Sequence, residues 1–162
     1  MKIKNMGSSR LPEGKIPTET LAPILRLISK REMMVSTRIG MDAGITKSHG
    51  KYLVFSSGIA VGNPEEADLE KDLVHSLAKR ITRQGVKPDV LCPVILFPPG
   101  SKAKQVRAVL LKVSKAADNL DITVTKGHTE VTPGLRKLTL ILTMYGSGNR
   151  LSLVRGSTHS SR

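Results

Sequence analysis

The chain has 162 residues, enough for one domain that buries a core without metal or disulfide staples. Two Phe, two Tyr and no Trp make that core aliphatic, and a single cysteine, Cys92, excludes an internal disulfide. No apolar run approaches the roughly 18 residues that span a bilayer, and residues 1–10 are polar and basic, unlike a signal sequence. A cytoplasmic protein without a membrane segment is expected.

The charge is unusual: 26 basic and 13 acidic residues give +13. Residues 1–15 hold four basic residues and one acid, and residues 147–162 hold three basic residues and no acid, so the ends carry +6 and the body keeps +7. A body this basic favours anionic partners, whether nucleotides, acidic proteins or nucleic acid.

In chain order, residues 1–15 lack apolar periodicity and read as a flexible lead-in to a domain over 16–146. Thr18 to Lys30 places Leu21, Ile24, Leu25, Leu27 and Ile28 at helical spacing behind a Thr18 cap. Met34 to Ile39 and Ala43 to Lys47 read as short extended segments, and Ser48-His49-Gly50 as a turn. A strand follows over Lys51 to Ser57, with Gly58 and Gly62 marking a loop. Asn63, Pro64 and Glu66 have the form of a capping box for a helix reaching Gln84, with Leu69, Leu73, Leu77 and Ile81 on one face. Asp89 to Phe97 is a nearly continuous apolar run, which predicts a buried strand, and Cys92 within it reads as a packed thiol. Ser101 opens a second helix to Asp118, with Val106, Val109, Leu110 and Val113 inward and Lys102, Lys104, Arg107, Lys112 and Lys115 outward. Leu120 to Thr125 is predicted as a strand, Lys126 to Arg136 as a loop and Lys137 to Tyr145 as the last strand. Residues 147–162 read as a basic disordered tail, in which Leu153 to Ser157 resembles a linker remnant.

The expected fold class is therefore α+β, a mixed β-sheet with two long helices on one face. An apolar opposite face needs a cover, and with one domain in the chain that cover must be another subunit's sheet. Sheet-to-sheet dimerisation closing a barrel is the expectation.

Several local motifs then fall in a familiar order. Gly127-His128-Thr129-Glu130-Val131-Thr132-Pro133-Gly134 is similar to the glycine-rich loop of the aminoimidazole-ribonucleotide-synthetase (AIR synthase) superfamily, nearest its hydrogenase maturation branch. Glu13-Gly14-Lys15-Ile16-Pro17, Ile39-Gly40-Met41-Asp42-Ala43, Gly85-Val86-Lys87-Pro88 and Phe97-Pro98-Pro99-Gly100 resemble further segments of the same domain. The resemblance covers roughly residues 13–146 and implies an ATP-binding-type N-terminal domain. In that superfamily paired domains hold ATP near their interface, through magnesium bound by acidic residues.

Carried over residue by residue, the resemblance implies cofactor-binding roles for Asp42, Gly127, His128, Thr129 and Glu130, with Asp42 also a metal ligand. Each has a second reading: Asp42 as a surface turn residue, His128 and Glu130 as braces of a tight loop, Gly127 and Thr129 as ordinary turn chemistry. The family's other acids are replaced. Met41 stands for one, Ser57-Gly58 for a Thr-Asp pair, and Lys79-Arg80 for an Asn-Asp pair in the long helix. Lys79, Arg80 and Arg83 read either as an anion site in place of the metal cluster or as a solvated helix end. The family's C-terminal domain has no counterpart in these residues.

Three functions follow: a catalytically degraded assembly module that forms a homodimer or pairs with a full-length relative; an ATP-binding subunit of a maturation or synthetase enzyme acting with a partner; and a basic nucleic-acid binder. The last lacks the aromatic platforms of single-strand binders. No P-loop, GxGxxG or GxSxG occurs, so no rival catalytic arrangement competes.

Overall fold

A computed structural model describes residues 16, 19–21, 42–65 and 68–152. Residues 19–21 are helical, in keeping with the helix predicted over Thr18 to Lys30. The rest of that helix, the lead-in over 1–15, the segment Met34 to Ile39 and the tail from 153 lie outside the described residues.

The elements run β1 (Gly44–Ser48), β2 (Lys51–Gly62), α1 (Leu69–Thr82), β3 (Pro88–Phe97), α2 (Ala103–Asp118), β4 (Thr123–Val124), β5 (His128–Val131) and β6 (Leu138–Gly148). The strands make one mixed sheet in the order β1-β2-β6-β3, and the far edge of β3 is shared by β4 and β5. β1, β2, β6 and β3 pair antiparallel, whereas β4 and β5 join β3 in parallel after the α2 crossover. The α+β class, with a mixed sheet and helices on one face, is as the sequence predicts.

Strand alternation separates the two faces. Val54, Leu91, Ile95, Leu140, Leu142 and Met144 are buried on one face. There they pack with Leu73, Val74, Leu77 and Ile81 of α1 and Val109, Val113, Ala116 and Ala117 of α2. Methyl-rich aliphatics at these spacings fill a core that has almost no aromatic volume to use.

Several sequence expectations change. The strand expected over Leu120 to Thr125 is only Thr123–Val124, because Leu120 and Asp121 N–H close a turn onto the end of α2. The strand expected to stop at Ser57 continues to Gly62, because Ser57 to Gly62 pair in unbroken register with Thr143 to Leu138 of β6. Gly58 is thus not a loop marker but a strand residue that admits the helix: a Cβ there would stand 2.8 Å from Leu73 Cδ1. The helix expected from Pro64 begins at Leu69, behind Asp68 at φ 65, and the Pro64–Glu65 turn is held to α2 instead. Gln105 Nε2 donates to Glu65 Oε1 at 2.7 Å and Lys112 Nζ to the Pro64 carbonyl at 3.4 Å.

Leu110, expected inward, is 40% exposed, because the buried stripe of α2 runs through Val109, Val113, Ala116 and Ala117. Finally, β6 runs to Gly148, and the first residues of the expected tail are built into the fold. Leu151 packs against the core and Ser152 N–H donates to the Gln84 carbonyl at 2.9 Å.

Candidate functional site

The segment expected to be a loop over Lys126 to Arg136 contains a strand, β5. It adds to the C-terminal half of β3, with Val94 opposite His128 and Leu96 opposite Glu130. Thr132 N–H extends the ladder to the Phe97 carbonyl at 2.9 Å. What fixes its entry is Gly127. A Cβ on Gly127 would lie 1.8 Å from the Pro93 carbonyl oxygen, so this position tolerates no side chain while β5 stays paired.

Because side chains two apart on a strand share a face, His128, Glu130 and Thr132 line up. His128 Nε2 donates to Glu130 Oε2 at 2.9 Å, and Thr132 Oγ1 donates to Glu130 Oε1 at 2.6 Å. Thr132 chiefly, then His128, holds the Glu130 carboxyl below the usual glutamate range. A depressed carboxyl contributes stability that is present above its unfolded-state pKa and is lost as pH falls through the folded value. In a carbon-detected NMR titration, Glu130 should therefore titrate below the usual glutamate range. Thr132→Val should move its midpoint upward.

Sequence reasoning does not single out Thr132, although its i+2 spacing from Glu130 on a strand is the signal that would find it. Thr129 and Gly127 sit in the same short stretch, so four of the five sequence-predicted cofactor residues come together. Asp42 does not join them. It precedes β1 at the opposite edge, four strand spacings or roughly 19 Å from β5. Its side chain is exposed, and its carbonyl accepts the Ser56 hydroxyl at 2.6 Å.

Between these edges, the face turned away from the described helices is largely apolar. Phe55 opposes Tyr145, with ring centroids 6.4 Å apart, and Ile59 opposes Ile141. Val94 flanks Ile141 from β3 and Leu96 flanks Thr139. Ile59 is 64% exposed, Val61 54% and Ile141 36%. A polar pair interrupts this face, Ser57 Oγ and Thr143 Oγ1 at 2.9 Å, beside half-buried Cys92, whose thiol points to the Lys126 carbonyl at 3.4 Å. His128 and Glu130 border the same face at its β5 edge.

Compared with solved structures, the chain superposes on thiamine monophosphate kinase from Aquifex aeolicus with a TM-score of 0.67, at 12% identity over 82% of this chain and 43% of that one. It superposes on PurL of T. maritima, complexed with ATP, with a TM-score of 0.61, at 13% identity over 91% of this chain and 27% of that one. HypE of E. coli, a hydrogenase maturation protein, gives a TM-score of 0.53, at 21% identity over 58% of this chain and 31% of that one. The chain has the AIR synthase-like N-terminal fold. It spans less than half the length of each of these three proteins. No family model matches the sequence, and no curated protein matches it.

On the AIR synthase-like fold, two positions that the sequence resemblance pairs with metal-binding acids are neighbours in space. Arg80 of α1 donates from Nη1 to the Ser57 carbonyl of β2 at 3.2 Å. A guanidinium thus lies beside Ser57-Gly58, where the superfamily's Thr-Asp would stand. Hard magnesium takes oxygen ligands, carboxylates foremost. Among the described residues no group of three or more His, Cys, Asp or Glu side chains could hold a metal ion. The residues present therefore do not fit the superfamily's magnesium cluster, and Asp42 supplies a single carboxylate.

Proposed function

We propose that this chain works as an assembly half-domain. It pairs through the sheet face turned away from the described helices with a second copy of itself or with a fuller relative, and it has lost the magnesium–ATP chemistry of its superfamily. The observation that carries this reading is the apolar face of exposed Ile59, Val61 and Ile141 and half-buried Phe55 and Val94, which the described helices leave uncovered. A sheet face of this composition is stable in water when another layer covers it. Size-exclusion chromatography with light scattering, run at micromolar protein, is expected to give twice the monomer mass. A single-chain mass at every concentration would overturn homodimer formation and leave pairing with a relative, to be checked by co-purification.

A second reading, an ATP-binding subunit, is favoured by the His128–Glu130–Thr132 row at the rim of that face and by the ATP in the T. maritima PurL structure. Against it stand Arg80 in place of an acid and the mutual hydrogen bonds that already occupy His128 and Glu130. Titration calorimetry with a non-hydrolysable ATP analogue and magnesium is expected to give no heat at millimolar analogue. Micromolar binding weakened by Glu130→Gln, with Asp42→Ala run beside it to test the opposite edge, would support the enzyme-subunit reading instead.

A further inference from the structure

On the helix side of the sheet, where α1 and α2 meet, lies a second candidate site. A cavity of about 330 Å³ is lined by Asp68, Glu70, Lys71, Lys112, Lys115 and Asn119. Its size falls at the low end of ligand pockets. Glu70 is the one charged residue among the described residues that is buried, at 1% exposure. Its Oε2 has no hydrogen-bond partner. The Lys112 ammonium forms an ion pair with it at 3.7 Å, too long for a hydrogen bond, and donates to the Pro64 carbonyl. A buried carboxylate oxygen without a hydrogen-bond donor costs the fold that holds it, so an entering N–H donor would relieve a cost the fold already carries.

The lining also constrains what enters. Acids stand on the α1 side, Glu70 and Asp68, while Lys71, Lys112 and Lys115 present ammonium groups around the same cavity. A simple anion would confront Glu70, and a simple cation would confront the lysines. A divalent metal would find too few acidic ligands. The complementary ligand carries both signs within a few bonds.

We propose that this cavity binds a small zwitterion, an amino acid in size, whose ammonium reaches Glu70 and whose carboxylate is held by Lys71 and Lys115. The site is separate from the apolar sheet face and does not depend on pairing there.

The test is a ¹H–¹⁵N NMR titration of the full chain with γ-aminobutyrate, using n-butylamine and butyrate as matched single-charge controls. Saturable shifts confined to residues 68–71 and 112–119 are expected for γ-aminobutyrate, with affinity at least about tenfold weaker for either control. Glu70→Gln and Lys115→Ala, each with an otherwise native spectrum, should each weaken binding by about tenfold or more. Absence of saturable shifts at tens of millimolar overturns the proposal. Equal binding of butylamine or butyrate overturns it too, as does unchanged affinity in Glu70→Gln. Should Glu70→Gln fail to fold, the wild-type comparison with the two controls and the Lys115→Ala variant still decide.

Discussion

Ile59→Asp is expected to convert the proposed sheet-paired dimer into a folded monomer. Ile59 is 64% exposed in the single chain and directly opposes Ile141 across the β2–β6 ladder, so pairing of two sheets would bury both. Burying an isoleucine side chain fully is worth roughly 1.5–3 kcal/mol. Only the part exposed in the single chain is newly buried, about two thirds of the side chain, and in a twofold interface each position counts twice, so the loss is about 2–4 kcal/mol before any penalty for burying the aspartate. That corresponds to roughly 30-fold to 10³-fold in dissociation constant, and the buried aspartates add to it, which should give a single-chain mass in light scattering at micromolar concentration. Folding should be spared, because Ile59 points away from the core of Leu77, Ile95 and Leu140, and the far-ultraviolet circular dichroism should stay that of the wild type. A variant that remains dimeric would move the interface to another surface, and Leu111→Asp on the exposed flank of α2 is the control that locates it.

Gly127→Ala is expected to be the most damaging single-methyl change in the Gly127–Gly134 motif. The new Cβ would stand 1.8 Å from the Pro93 carbonyl oxygen. A strand backbone cannot yield as the end of a flexible side chain can. The overpacking cost is of the order of 1–3 kcal/mol or more, equivalent to a fall of about 3–10 °C in Tm for a domain of this size. Its local signature should be loss of hydrogen-exchange protection at Thr132 N–H and along β5, whose pairing with β3 the displaced Gly127 would break. Gly134→Ala separates space from conformation, because Gly134 has φ 83 and no atom lies within 4 Å of where the new methyl would stand. That variant should suffer only the strain of a left-handed alanine, about 1 kcal/mol, and keep β5 protected. Equal stability of Gly127→Ala and wild type would mean that β5 is not held against β3 through this close approach.

The core elements were legible because their signals are local. Leu69, Leu73, Leu77 and Ile81 recur at helical spacing, and all are wholly or partly buried on α1. Asp89 to Phe97 is a nearly continuous apolar run because the second face of β3, Val90, Cys92, Val94 and Leu96, is also apolar and half-covered by its neighbours. Element boundaries were less legible where a pairing partner, not the local residues, set them. Gly58 and Gly62 have the composition of a loop, yet β6 supplies a ladder partner for each residue of Ser57 to Gly62, and hydrogen bonding to it outweighs the low strand propensity of glycine. β5 was hidden for the same reason: His-Thr-Glu-Val, preceded by one glycine and soon followed by another, becomes a strand only because the edge of β3 is open beside it.

Composition and periodicity by themselves determined a basic, aliphatic α+β domain with two helices on one face of a mixed sheet, because those signals are local. The resemblance of its motifs implied the AIR synthase-like fold, which the solved structures share. Only the tertiary structure decided which site residues meet. Strand order puts Asp42 and Glu130 on opposite edges of one sheet, brings Arg80 to Ser57 across the helix–sheet contact, and buries Glu70 at the wall of a cavity beside Lys112. Each of these depends on long-range packing between segments distant in the chain, and no local pattern encodes it.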